Sequence, residues 1–135
     1  LPRVPGRPIT VADGTASGNH YAATKVFAEE LARVYAHRHR LSTLAVRIGW
    51  LARGLRELDG IRHSTFAQDI YLSHADGGRF FTCAVEAAQP RPGEWAVLFA
   101  TSRPLHGHPV DLASAKELIG YEPRQAWPEG TEELR

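Results

Sequence analysis

The sequence has one cysteine, Cys83, in 135 residues, and that scarcity excludes two architectures at once. No disulfide can form within the chain, and no cysteine-based zinc cluster can be built. The composition suits a reducing compartment, and the cytoplasm is the expected location. An excess of charge of one sign is also missing, since 16 basic against 15 acidic residues leave a formal net charge of +1. Without a broad field of one sign, neither nucleic acid nor an anionic membrane is expected as a partner. No run approaches the roughly 20 apolar residues of a membrane span, and Leu1 to Pro8 is Pro- and Arg-rich rather than an apolar signal segment. No internal repeat or low-complexity tract occurs. The absence with most consequence is a glycine-rich turn: neither G-x-G-x-x-G nor G-x-x-G-x-x-G is present. The chain therefore carries no strand–turn–helix signature for seating a dinucleotide pyrophosphate.

What is present, 43% hydrophobic and 23% charged residues, fits one soluble domain with one core. Leu1 to Gly18 is rich in proline and glycine and reads as an irregular leader, so the organised portion is expected over 19–135. From Asn19 to His39 the pattern is helical. Ala23, Phe27, Leu31 and Tyr35 recur every four residues, Glu29 can pair with Arg33, and His37, Arg38, His39 and Arg40 suit a helix's negative end. Thr43 to Ile48 is apolar at nearly every position, as expected of a parallel strand covered on both faces. Gly49 to Gln68 reads as a long loop with one helical turn around Leu55 to Leu58. Ile70 to Leu72 is a candidate short strand. Ser73 with Asp76 marks a helix start, and that helix ends near Ala88. Trp95 to Ala100 is a second buried strand, and a short helix capped by Asp111 stops at Gly120. Helices feeding such strands indicate an α/β architecture.

The chemistry concentrates at Tyr21-Ala22-Ala23-Thr24-Lys25. A phenol and an ammonium four residues apart near a helix start share one face and can act as a pair. A tyrosine ordinarily ionises near pH ~10, so its use as a base at neutral pH requires about 4 kcal/mol of phenolate stabilisation. A neighbouring cation supplies much of that. Taken alone, the spacing is a weak signal that far more often describes a packed aromatic beside a solvated amine. His106-Gly107-His108 suggests a metal, but two histidines without a third ligand read as a loop, and no metal is expected.

Context sharpens the pair. The segment Tyr21-Ala-Ala-Thr-Lys-Val-Phe-Ala-Glu-Glu30, then Tyr35, then Leu44-Ala-Val-Arg-Ile-Gly49, resembles the stretch after the active-site strand in extended short-chain dehydrogenases/reductases. The likeness continues through Tyr71-Leu72-Ser73-His74-Ala75-Asp76, the Phe80 to Glu86 helix, Ala100-Thr101-Ser102 and Leu118-Ile119-Gly120-Tyr121-Glu122-Pro123. It spans about Asp13 to Glu129 and is nearest to the uronate dehydrogenases among NAD-dependent epimerases/dehydratases.

The resemblance implies the C-terminal part of a Rossmann-like doubly wound sheet, lacking the N-terminal Gly-rich βαβ half and the family's catalytic serine. It also implies NAD, with NADP left open, and a small-molecule sugar or sugar acid as substrate, with cofactor binding and activity expected only when the N-terminal half is supplied. Tyr21 would be the base that takes a sugar hydroxyl proton. Lys25 would be its activator and a ligand of the nicotinamide ribose, and Tyr21, Ile48 and Gly49 would also border the cofactor. Trp50 would border the substrate, although relatives active on uronates carry a serine there. An arginine fork would grip a carboxylate, with Arg53, Arg56 and Arg62 as candidates and Arg56 preferred. A nucleotide-sugar epimerase or dehydratase would use the same Tyr21–Lys25 pair. A non-catalytic remnant, folding as an oligomer or interaction module, is the rival that the missing glycine turn favours. An unpaired Thr43 to Ile48 edge would invite a second copy, so a homo-oligomer is expected unless the chain belongs to a longer protein.

Overall fold

Asn19 opens the first long helix with a side-chain cap, its Oδ1 accepting the Ala22 N–H at 2.9 Å. This helix, α1, runs His20–His39 with His37, Arg38 and His39 in its last turn, and it closes at Arg40 in the left-handed conformation, φ 57°. The computed structural model of the chain describes residues 7–107 and 110–134. Pro2, Pro5 and Gly6 of the leader, and His108 of the histidine pair, lie outside the described residues.

The two apolar runs form strands where expected, β1 Thr43–Ile48 and β2 Trp95–Ala100. They pair in parallel from Thr43 with Trp95 to Ile48 with Ala100. Between them come α2 Leu55–Arg62, α3 Thr65–Asp69 and α4 His74–Glu86; α5 Ala113–Ile119 follows β2 and ends at Gly120, φ 72°. Alternation along β2 divides the core. Leu98 and Ala100 join Leu72, Phe80, Ala115, Ile119 and Tyr121 on one side, while Phe99 packs with Ile9 and Val110 on the other. Ile9 also bridges to Val110, which ties the leader to the body of the fold. A third cluster holds Leu58, Ile61 and Ala67 beneath Tyr71.

Several expectations are corrected. The expected loop Gly49 to Gln68 contains two helices, α2 and α3. Its helical signal is faint because α2 starts at Gly54 without a side-chain cap and carries Gly60 inside, while Leu58 and Ile61 supply only one turn of buried contacts. Ile70 to Leu72 is a single bridge, Trp50 to Tyr71, rather than a strand. β1 is half-buried, not covered on both faces: β2 is its one ladder partner among the described residues. Leu112, not Asp111, is the cap residue of α5, although Asp111 Oδ1 still accepts the Ser114 N–H at 3.1 Å. In α1 the stripe Phe27, Leu31 and Tyr35 faces solvent. Ala22, Val26, Glu29, Ala32, Arg33 and Ala36 are its sheltered positions. Small side chains let a helix lie close to a sheet, and that contact overrides the stripe of larger apolar residues. Arg33 pairs with Glu30, leaving Glu29 for a different partner.

Asp76 shows how the elements are tied. Ser73 Oγ accepts the Asp76 N–H at 3.0 Å, the cap read from the sequence. The buried Asp76 carboxylate goes further and accepts from Arg79 Nη2 (2.6 Å), Ser102 Oγ (2.7 Å), Arg124 N (2.9 Å) and Gln125 N (3.0 Å). One carboxylate thus joins the start of α4, the exit of β2 and the C-terminal segment. Burial opposes its ionisation, but these donors win and hold its pKa below the ordinary value.

Candidate active site

Tyr21 sits on the first turn of α1 with 71% of its surface exposed. One turn on, Lys25 Nζ lies 5.1 Å from the centre of the phenol ring, so the two groups share a face and touch. Both line a groove of about 670 Å³ between α1 and the C-terminal half of β1, together with Ser17, Glu29, Arg47 and Ile48. The pair opens to solvent rather than being walled in by the core.

The polar side chains of the groove are not equivalent. Glu29, one turn beyond Lys25, is spaced to pair with it. Instead it takes Arg47 from β1 in a two-pronged contact, Nε to Oε2 at 3.0 Å and Nη2 to Oε1 at 2.9 Å. Both side chains are largely buried, and the Arg47 guanidinium also rests over the Phe99 ring at 5.6 Å. Lys25 forms no hydrogen bond or ion pair among the described residues, so its ammonium donors remain available. The sequence reading missed this division of labour because the Glu29–Arg47 contact joins residues of separate elements. The apolar run that marks β1 gives no sign that Arg47 points to the helix.

The remaining predicted residues fall at the exit of β1. Ile48 is exposed on the groove. Gly49 donates its N–H to Ala100 O at 2.8 Å, and a Cβ there would stand 2.2 Å from Ile70 O, so only glycine fits. Trp50 is laced by its backbone, N to Ile70 O at 2.7 Å and its carbonyl to Leu72 N at 3.0 Å. Its indole leans on α2, close enough to Gly60 that a Cβ there would meet it at 3.4 Å, and it is not among the side chains of the groove. Arg56 projects from the first turn of α2, exposed and without an ion pair among the described residues. Arg62 lines a second cavity with Asp59 and Trp127. Arg53 is held by Glu57, whose Oε1 accepts from Nη2 at 2.8 Å while Oε2 accepts the Arg53 backbone N–H at 2.5 Å. The hydrogen bond to Glu57 and then its charge raise the Arg53 pKa, and the Tyr21 phenol acts in the same direction. Among the described residues no three histidine, cysteine or acidic side chains converge as a metal site, and no helix is long and apolar enough to cross a membrane.

A parallel strand pair with the Tyr–Lys helix beside it, the groove opening between that helix and the C-terminal half of β1, is the arrangement of a partial Rossmann-like fold. No family model matches the chain. It is 32% identical over 120 residues to the L-arabinose 1-dehydrogenase (NAD(P)(+)) of Haloferax volcanii, a match covering 86% of this chain and 46% of that enzyme. In fold it is similar to a mutated uronate dehydrogenase, with a TM-score of 0.70 and 21% identity over 96% of this chain and 42% of that one. It is equally similar, TM-score 0.70 and 21% identity, to the glucuronic acid dehydrogenase of Chromohalobacter salexigens, covering 94% of this chain and 43% of the other. The chain spans less than half the length of these relatives. The resemblance to extended short-chain dehydrogenases/reductases holds in sequence and in fold, for the C-terminal part of such a protein.

Proposed function

We propose that this chain carries the proton-transfer residues of a nicotinamide-dependent sugar dehydrogenase, with Tyr21 as base and Lys25 as its activator. The observation that carries the reading is the exposed phenol–ammonium contact in which Lys25 is claimed by no carboxylate among the described residues. A bound NAD or NADP supplies the hydride acceptor. Tyr21 Oη takes the proton of the sugar hydroxyl, and the Lys25 charge favours the phenolate that accepts it. Unused ammonium donors suit ribose hydroxyls, and the backbone at Ile48 and Gly49, fixed to β2, forms a rigid wall. The related enzymes act, by their names, on L-arabinose or uronates, so the substrate class is a sugar or sugar acid. Arg56 and the backbone of Trp50 are the substrate contacts of this reading, reached from the loop that follows β1. The outer edge of β1 has no partner strand among the described residues. A second copy of the chain or a further strand of the same protein covers it.

The test is nicotinamide reduction, followed by absorbance with aldoses and hexuronic acids, for the protein as its gene encodes it. Tyr21→Phe lowers turnover about a thousandfold while leaving cofactor binding in place. Sugar isomerisation without net reduced cofactor supports an epimerase instead. Absence of both turnover and cofactor binding by calorimetry supports the non-catalytic remnant.

A further inference from the structure

Glu29 and Arg47 stand beside the Tyr21–Lys25 pair in one groove, yet proton transfer as described above makes no use of them. Their placement has an electrostatic consequence. At the i,i+4 spacing of α1, an uncommitted Glu29 carboxylate would pair with Lys25 and cancel its field at the phenol. Arg47 prevents this by taking both oxygens of Glu29, at 2.9 and 3.0 Å. The guanidinium is fixed in turn by the strand that carries it and by the Phe99 ring beneath it.

We propose that Arg47 is a positioning residue which sequesters Glu29 so that the Lys25 charge acts on Tyr21. This rests on the reading of Tyr21 and Lys25 as the working pair. The other charged groups lining the groove of that pair are Glu29 on α1 and Arg47 on β1, while Arg53 on the following loop is held by Glu57. Of these, Glu29 is the one negative group positioned to compete for Lys25, and Arg47 is the group that occupies it.

The experiment follows the Tyr21 phenol and Lys25 amine by NMR titration of the whole chain, with carbon-labelled tyrosine and lysine, and needs no turnover. In Arg47→Met the freed Glu29 carboxylate turns to Lys25 and both midpoints move up. In Glu29→Gln the uncompensated Arg47 lowers both. The double variant Arg47→Met with Glu29→Gln returns both close to the parent values. Unmoved midpoints, or shifts of the same sign in the two single variants, overturn the proposal. Should Arg47→Met fail to fold, Arg47→Lys takes its place: it keeps the charge but loses the two-pronged hold on Glu29, so both midpoints rise if sequestration is the cause and stay put if it is not. Turnover is measured alongside. Midpoints that move as stated in a protein that oxidises no sugar would remove the dehydrogenase reading and leave the charge arrangement standing. A dehydrogenase whose midpoints stay fixed would do the reverse.

Discussion

Replacing Asp76 by asparagine tests whether one buried carboxylate holds three parts of the fold together. The substitution keeps size and shape but turns one oxygen into an NH₂ group and removes the charge. Four donors now end on the carboxylate: Arg79, Ser102 and the backbone N–H groups of Arg124 and Gln125. Asparagine's single oxygen serves one pair of them. Of the other pair, the Ser102 hydroxyl can rotate away, but a backbone N–H cannot, and a buried donor left without a partner costs about 1–3 kcal/mol. Losing the countercharge to Arg79 adds to this, and breaking a buried charged contact of this kind costs about 3–5 kcal/mol in total. Urea denaturation followed by circular dichroism reads the difference, expected as a lower midpoint at unchanged slope. The pH dependence gives an independent sign. The folded-state pKa of Asp76 lies below the ordinary 3.8, so its stabilisation is fully present above that value and disappears as pH falls through the folded pKa. The gap between parent and variant therefore closes in acid. A loss below about 1 kcal/mol at neutral pH, or a gap that widens in acid, would refute the reasoning.

Two further substitutions probe the frame around the candidate site. Gly49→Ala drives a Cβ to 2.2 Å from the Ile70 carbonyl, where backbone on both sides resists movement. A stability loss of about 3 kcal/mol is expected, read as a lowered thermal midpoint, against none for Gly18→Ala, whose added carbon meets nothing within 4 Å. Tyr71 makes the alkaline limit visible. Burial, then the charges of Glu132 and Asp76, push its phenol from 10.0 up to about 12. The folded state thus prefers the neutral phenol, and this contribution is intact below pH 10 and lost as pH rises towards 12. Tyr71→Phe removes the Tyr71 O–H donor to Glu129 O and costs about 1 kcal/mol at neutral pH. It also flattens the alkaline decline seen by denaturant titration, and a decline unchanged in the variant would contradict the assignment.

The sequence made the long elements legible because each carries its own local signal. Asn19 and Ser73 are side-chain caps, Gly120 is a left-handed stop, and the two apolar runs became paired strands with the boundaries expected. What it did not disclose depends on neighbours. α2 begins at an uncapped glycine and has meaning only against Tyr71 and Trp127. The face of α1 that packs is chosen by how closely a helix can lie on a sheet, so Ala36 is buried while Phe27 stays 67% exposed. At the site, Tyr21 and Lys25 could be paired from their spacing alone, since helix geometry fixes that contact. Arg47 and Glu29, eighteen positions apart, could not be joined without the fold. Arg53 was one of three loop arginines, and only the first turn of α2, which presents Glu57 to it, separates it from Arg56 and Arg62.

The parallel ladder sets the tempo at which the chain can assemble. Thr43 meets Trp95 across about fifty intervening positions, and α2, α3 and α4 all lie within that span. No hairpin shortcut exists between these strands, so the entropy of closing the whole excursion is lost before the first ladder hydrogen bond forms. Helical content should accordingly develop well ahead of the sheet in stopped-flow refolding, with strand pairing as the late, slower phase.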